Sequence, residues 1–148
     1  MTHMLTIAQD ITASRTRVYD AFLSPEDLLQ WHRASDDWTT PHAETDPRVG
    51  GRFSIGFGDP TGEYSFDFTG SYTELDHPNR IAYTIDDGRK VEINFADTGK
   101  DRTLVSWSFE PEGDHPEDLQ RDGWAAQLAN LKRFLEHSGS PKPGGTSN

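Results

Sequence analysis

Cysteine is absent from the 148-residue sequence, and this absence excludes disulfide bonds, thiolate nucleophiles and cysteine-bound metals. Long apolar runs are absent as well, because no stretch approaches the roughly 20 residues of a membrane-spanning helix. The sequence starts MTHMLTIAQD, which lacks the basic start and the apolar core of a signal peptide. We therefore expect a cytoplasmic protein that does not associate with membranes.

Basic residues are few, since 14 Lys and Arg stand against 25 Asp and Glu, for a formal charge of −11. A surface of this sign repels phosphate backbones and anionic lipid headgroups, so we expect no nucleic-acid partner. Residues 138–148 read SGSPKPGGTSN and contain no apolar side chain. This composition predicts a flexible tail after a single domain that covers residues 1–137. We expect the domain to be a monomer.

Alternation of apolar and polar residues dominates the middle of the sequence, and this period of two is typical of half-buried strands. A first strand is predicted at LTIAQDI, residues 5–11. Between residues 41 and 110 the alternating sets are Phe53/Ile55/Phe57, Tyr64/Phe66/Phe68, Ile81/Tyr83/Ile85, Val91/Ile93/Phe95 and Thr103/Val105/Trp107/Phe109. Short turns rich in Gly, Asp, Asn and Pro separate them, which predicts an antiparallel meander with one apolar face.

Helical spacing occurs in two parts of the sequence. After the first strand, Ser24 is a candidate N-cap and Pro25 suits the first helical position, which predicts two short helices with a kink at residues 23–25. Near the C-terminus, WAAQLANLKRFLEH (residues 124–137) carries an apolar stripe in steps of four, three and four residues. We predict one long amphipathic helix there, preceded by a loop over residues 110–123.

The order of these elements indicates an α+β fold: one strand, two short helices, five or six antiparallel strands and a long helix. A strongly twisted sheet curls, and its concave side receives the apolar stripe of the final helix. We therefore predict a strongly curved antiparallel sheet wrapped around a long C-terminal helix. Gly50 and Gly51 are expected to permit a tight bend where the sheet wraps.

Candidate catalytic and metal-binding residues are sparse. The sequence contains no nucleophile elbow, no phosphate-binding loop and no zinc-binding helix motif. The densest group of candidates is Trp31, His32, Trp38, His42, Glu44 and Arg48. Within it, His42 and Glu44 would share one face of an extended strand and form an acid–base pair at a cavity mouth. No third or fourth metal ligand follows at a suitable spacing, so we expect no metal and no cofactor.

Several short segments carry a resemblance to a known family. They are Trp31, DPRVGGRF (46–53), GSYTEL (70–75), PNRIAYT (78–84), and Gly123-Trp124 followed by Leu128 and Asn130-Leu131. In this order they resemble the SRPBCC (START-like) superfamily. Within it they are similar to the branch of homologues of the activator of the ninety-kilodalton heat-shock chaperone ATPase. The resemblance spans about residues 5–137 and implies a helix-grip fold, with a seven-stranded sheet around the C-terminal helix.

The resemblance also implies a cavity between the sheet and the helix, where many members bind apolar or amphipathic molecules and a few cyclise or dehydrate polyketides. We expect the cavity to be lined by Trp31, Phe53, Ile55, Phe66, Phe68, Tyr83, Ile93, Trp107, Trp124, Leu128 and Leu131. Arg48 or His42 is expected at its polar end. The alternative is that the same rings fill a solid core.

The predicted function is the binding of a hydrophobic or amphipathic small molecule without catalysis. One alternative is a cyclase- or dehydratase-like enzyme that uses His42 and Glu44. A further alternative, implied by the branch alone, is an accessory protein of the chaperone with a role in the stress response.

Overall fold

A computed structural model describes residues 3–138 of the chain, apart from Ala34 and Asp36. The predicted flexible tail therefore lies outside the described residues from position 139 onward. Within the described part, no helix is long and apolar enough to cross a membrane.

Seven strands and three helices follow one another in the described residues. Their order is β1 (Leu5–Ile11), α1 (Arg15–Ala21), α2 (Pro25–Trp31), β2 (Ala43–Thr45), β3 (Arg52–Gly58), β4 (Ser65–Asp76), β5 (Arg80–Ile85), β6 (Lys90–Gly99), β7 (Arg102–Phe109) and α3 (Glu117–Ser138). The predicted α+β fold and its element order are thus confirmed, with six strands between the short helices and the long helix. At the predicted kink, the Ser24 hydroxyl caps α2 by accepting a hydrogen bond from the Asp27 amide.

All seven strands form one curved antiparallel sheet in the order β1-β7-β6-β5-β4-β3-β2. The strands from β2 to β7 are sequential neighbours, as in a meander, and β1 pairs with β7 to complete the sheet. The helix α3 packs most closely on β1 and also contacts α2. One core therefore forms between the concave side of the sheet and the three helices.

Glycines and a bulge allow the sheet to bend. Gly50 has a φ of +87°, which side chains disfavour, and a Cβ on Gly51 would overlap the Asp46 carbonyl oxygen. In β4 the register shifts between Tyr72 and Glu74, so one extra residue changes which side chains face inward. The predicted bend at the two glycines is therefore present, as the connection between β2 and β3.

The long helix begins earlier than predicted. Residues 117–123 were expected to belong to a loop, but α3 starts at Glu117 and includes Gly123. Glu117 and Asp118 lie in the first turn, where carboxylates interact favourably with the positive end of the helix dipole. The apolar stripe of the helix is confirmed, because Leu128, Leu131 and Leu135 are all buried.

Tyr64 and Phe66 are more exposed than their alternation with Phe68 predicted. Tyr64 precedes β4 and is 57% exposed, whereas Phe66 is 42% exposed. Burial rises along β4 toward Tyr72, which is 4% exposed. The start of β4 therefore extends past the core, and its inward aromatic side chains border open space.

Candidate functional site

An open cavity of about 360 Å³ lies between the sheet and α3. Its lining comes from β3, β4, β7, the α2 terminus, three loops and the first half of α3. The lining residues are His32, Trp38, Phe57, Phe66, Phe68, Arg89, Trp107, Glu112, Gln120, Gly123, Trp124 and Gln127. This volume falls within the range of small-molecule sites.

Aromatic rings form the walls, and contacts between rings hold them in place. On one side the rings of Phe57 and Phe66 stack with centroids 4.9 Å apart. On the other side Trp124 stacks on Phe109 at 4.1 Å and meets Trp107 edge to face at 5.2 Å. Because sequential strands and α3 bring these rings together, the walls are flat, apolar surfaces that suit a planar ligand.

Three residues separate the cavity from the interior of the protein. His32, Phe68 and Trp107 line the cavity and also line a small void of about 20 Å³ behind it. We call these three residues the cavity floor. The floor lies where the end of α2 meets β4 and β7.

The His32 imidazole is buried in an apolar environment. The residue is 4% exposed, and its ring lies 5.2 Å from that of Phe57 and 5.8 Å from that of Phe68, between centroids. The pKa of His32 is lowered to about 4, chiefly by burial. The backbone of His32 opposes this change to a smaller extent, and the charge of Arg33 adds to it. His32 is therefore neutral at pH 7.

Polar side chains surround the mouth of the cavity. The Glu112 carboxylate accepts hydrogen bonds from the amides of Asp114 and His115, and it pairs with the His115 ring at 2.8 Å. His115 is the largest cause of the lowered pKa of Glu112. Gln120 links α3 to the same loop, because its amide exchanges hydrogen bonds with the Glu112 backbone. Together with Arg89 and Gln127, these groups form a polar rim around an apolar interior.

The residues predicted from the sequence to line the cavity divide into three groups. Phe66, Phe68, Trp107 and Trp124 line the open cavity. Phe53, Ile55, Tyr83 and Ile93 lie around the small void, which Phe68 and Trp107 also border. Trp31, Leu128 and Leu131 are buried in the core and line neither space.

The structure does not bring His42, Glu44 and Arg48 to the cavity. His42 bonds to the exposed carboxylate of Asp67 at 2.9 Å, and Glu44 lies on the short edge strand β2. The Arg48 side chain is 71% exposed and pairs with Asp46. These residues belong to the β2 edge of the sheet and its connection to β3, whereas the polar end of the cavity lies beside the start of α3.

Several lining residues were not predicted to contact a ligand. His32 and Trp38 were in the candidate cluster of the sequence analysis. They were included only because they follow α2 in the sequence, and they were not predicted to line the cavity. Arg89, Glu112, Gln120 and Gln127 come from loops and from the first half of α3. Gly123 was part of a family motif but was placed in the predicted loop, so its unfavourable position within a helix became apparent only in the structure.

A metal centre is not supported by the described residues, which include no group of three or more His, Asp or Glu side chains placed to hold an ion. The cavity contributes only His32 and Glu112 of these residue types. Its arrangement suits binding through apolar contact and single hydrogen bonds.

Comparison with known proteins identifies the family. The family model described as activator of Hsp90 ATPase homolog 1-like protein (AHSA1) matches residues 12–136. An AHSA1-like protein from Aeromonas hydrophila has a solution structure with a TM-score of 0.82 and 34% identity, covering 91% of this chain and 94% of that one. Chr148 from Cytophaga hutchinsonii has a TM-score of 0.76 and 36% identity, covering 92% and 94%.

More distant structures share the fold. The crystal structure of an Hsp90 activator from Plasmodium falciparum has a TM-score of 0.68 at 19% identity, covering 90% of this chain and 96% of that one. No curated protein matches the sequence. The resemblance found in the sequence motifs is confirmed, and the chain belongs to the family of activator of Hsp90 ATPase homolog 1-like proteins.

Proposed function

We propose that this protein binds a flat hydrophobic or amphipathic small molecule in the cavity between the sheet and α3. The observation that carries the proposal is an open space of about 360 Å³ with aromatic walls and a polar rim. Such a combination buries the apolar body of a ligand and leaves its polar end near water. His42 and Glu44 do not line the cavity, so the enzyme alternative that uses them has no support from the site.

Gly123 supports the proposal independently of the aromatic walls. It lines the cavity, and a Cβ placed on it would meet no atom within 4 Å. A larger residue would fit there and would stabilise the helix, because glycine is unfavourable by about 1 kcal/mol relative to alanine in a helix. The missing side chain therefore leaves space open at the α3 side of the cavity.

The experiment that tests the proposal is a backbone amide NMR titration with a panel of sterols, lipids, flavonoids and polyketide-like aromatics. We expect saturable shifts confined to residues of β3, β4, β7 and the first half of α3. The variant Gly123→Leu fills the cavity and should abolish these shifts while the protein stays at least as stable. Asp122→Leu places the same side chain on an exposed neighbouring position of α3 and should leave the shifts intact.

A second candidate function is association with the Hsp90 chaperone. The observation that favours it is the family itself, together with the similarity in fold to the Hsp90 activator from Plasmodium falciparum. The titration separates the two candidates. Absence of shifts across the whole panel, in a protein that gives the expected folded spectrum, would contradict ligand binding and leave chaperone association as the function to pursue.

A further inference from the structure

Two nitrogen atoms at the cavity floor are buried without a hydrogen-bond partner among the residues that the structure describes. They are the Nδ1 atom of His32 and the Nε1 atom of Trp107. Leaving such groups unpaired costs about 1–3 kcal/mol each, so a protein core normally satisfies them. His32 caps the C-terminal end of α2, whereas Trp107 belongs to β7, and both residues border the same cavity.

The nearby polar groups do not satisfy these atoms. The Trp107 indole partly offsets the rise that burial gives to the pKa of Tyr83, but the two groups do not reach hydrogen-bond geometry. The His32 backbone partly offsets the fall that burial gives to the pKa of its own imidazole, but no described group reaches hydrogen-bond geometry with Nδ1. Both nitrogens therefore have unused hydrogen-bonding capacity at the cavity floor.

The chemistry of the two nitrogens restricts what they can bind. An indole N–H is only a donor, whereas a neutral imidazole carries one donor and one acceptor nitrogen. A hydroxyl group matches both, because it accepts from the indole and either donates to the imidazole or accepts from it. A carboxylate would have to lose its hydration beside apolar rings and an uncharged imidazole, which is unfavourable.

We propose that the cavity selects flat, uncharged aromatic molecules that carry a hydroxyl group, and that His32 and Trp107 bind this hydroxyl at the cavity floor. The proposal rests on the proposed function, because it names the ligand class for the same cavity. Both nitrogens are shielded from solvent, so the hydroxyl reaches them when the floor side chains shift slightly. The void of about 20 Å³ behind the floor leaves room for a small displacement of this kind.

The test compares three probes that share one ring system: naphthalene, 2-naphthol and 2-naphthoate. Dissociation constants are measured at pH 7 by tryptophan fluorescence and confirmed by amide shifts. We expect 2-naphthol to bind roughly tenfold more tightly than naphthalene, which corresponds to one or two net hydrogen bonds. The charged 2-naphthoate should bind more weakly than 2-naphthol.

Two variants assign the preference to the floor. His32→Phe keeps a ring of similar size and removes the imidazole, and Trp107→Phe keeps a ring and removes the indole N–H. In each variant we expect the two neutral probes to bind within about threefold of each other, with naphthalene binding retained. His137→Phe, at an exposed position of α3, is the matched control and should keep the full preference for 2-naphthol.

The outcomes distinguish this proposal from the proposed function. Equal affinity for naphthalene and 2-naphthol in the unsubstituted protein would overturn hydroxyl selection while supporting the cavity as a binding site. A preference that survives both floor variants would overturn the assignment to His32 and Trp107. Tightest binding of 2-naphthoate would show selection for an anion instead. If none of the three probes bound, the proposed function and the hydroxyl selection would both fail.

Discussion

His32 combines a titratable ring with an environment that disfavours its charge. Aromatic rings surround it, it is 4% exposed, and the nearby Arg33 also opposes protonation. Among the described residues, no carboxylate forms an ion pair with it, unlike the pairs that the exposed His42 and His115 form. Protonation of His32 in the folded protein is therefore unfavourable.

This environment predicts a loss of stability in mild acid. In the unfolded chain His32 takes up a proton near its ordinary pKa of 6.5, whereas in the folded protein the pKa is about 4. Between these values the unfolded state binds more protons, so the free energy of unfolding falls as the pH is lowered. We expect His32 to contribute a loss of roughly 3 kcal/mol between pH 7 and pH 4, measured by urea denaturation.

The comparison that isolates this effect uses His32→Phe, which does not titrate at this position. The difference in unfolding free energy between the unsubstituted protein and the variant should shrink or reverse as the pH falls. His137→Phe should follow the unsubstituted protein. Parallel curves for the unsubstituted protein and His32→Phe would show that the imidazole titrates normally.

At the scale of secondary-structure elements, the connection between β2 and β3 determines how the sheet edge turns. The Asp46 amide donates to the Arg52 carbonyl, and the Gly51 amide donates to the Arg48 carbonyl. The amide of Gly50 and the carbonyl of Gly51 both bond to the backbone of Tyr72. The glycine pair therefore joins this connection to β4, and the carbonyl oxygens of Asp46 and Arg48 leave no room for a Cβ at Gly51.

We expect Gly51→Ala to destabilise the protein by roughly 2–3 kcal/mol, because the added Cβ would overlap the Asp46 carbonyl and force the backbone apart. Urea denaturation measures the effect. Gly113→Ala is the control, since a Cβ on Gly113 would meet no atom within 4 Å, and it should change stability by less than about 0.5 kcal/mol. Equal stability of the two variants would mean that the backbone of the connection moves to accommodate the added methyl group at little cost in free energy.

At the scale of the whole molecule, the cavity is a property of the complete domain. Its lining comes from β3, β4 and β7, from the end of α2, from three loops and from α3. None of these segments forms a concave site alone. Binding in the cavity is therefore coupled to global folding, because the site exists only when the sheet and α3 are packed together.

This coupling predicts that a cavity ligand raises the unfolding temperature of the whole protein. With 2-naphthol at about one hundred times its dissociation constant, the free energy of unfolding should increase by about 2.7 kcal/mol. For a domain of this size the midpoint should rise by roughly 8 °C. Near-ultraviolet and far-ultraviolet circular dichroism should report the same midpoint. Gly123→Leu should show no increase, and a rise confined to one of the two signals would contradict a site shared by the whole domain.

The sequence by itself determined the element order, the antiparallel pairing of consecutive strands in the meander and the buried stripe of α3, but not the pairing of β1 with β7. These features follow from local periodicity, caps and turn residues, which act over a few positions. It also indicated the tight bend at Gly50 and Gly51, because two adjacent glycines at the start of a strand indicate a backbone conformation that other residues disfavour. The family motifs are spread over most of the chain, because they mark backbone bends and core contacts that recur throughout the fold.

Only the tertiary structure decided which side chains meet at the cavity. Trp31 and Trp107 both read as inward aromatic residues, yet Trp31 lies in the core whereas Trp107 lines the cavity. His42 and His32 both read as scattered histidines, yet one pairs with a surface carboxylate and the other is buried at the floor. Periodicity predicts the face of an element, but the depth of a side chain depends on sheet curvature and on where α3 begins. Those are set by packing among residues distant in the sequence.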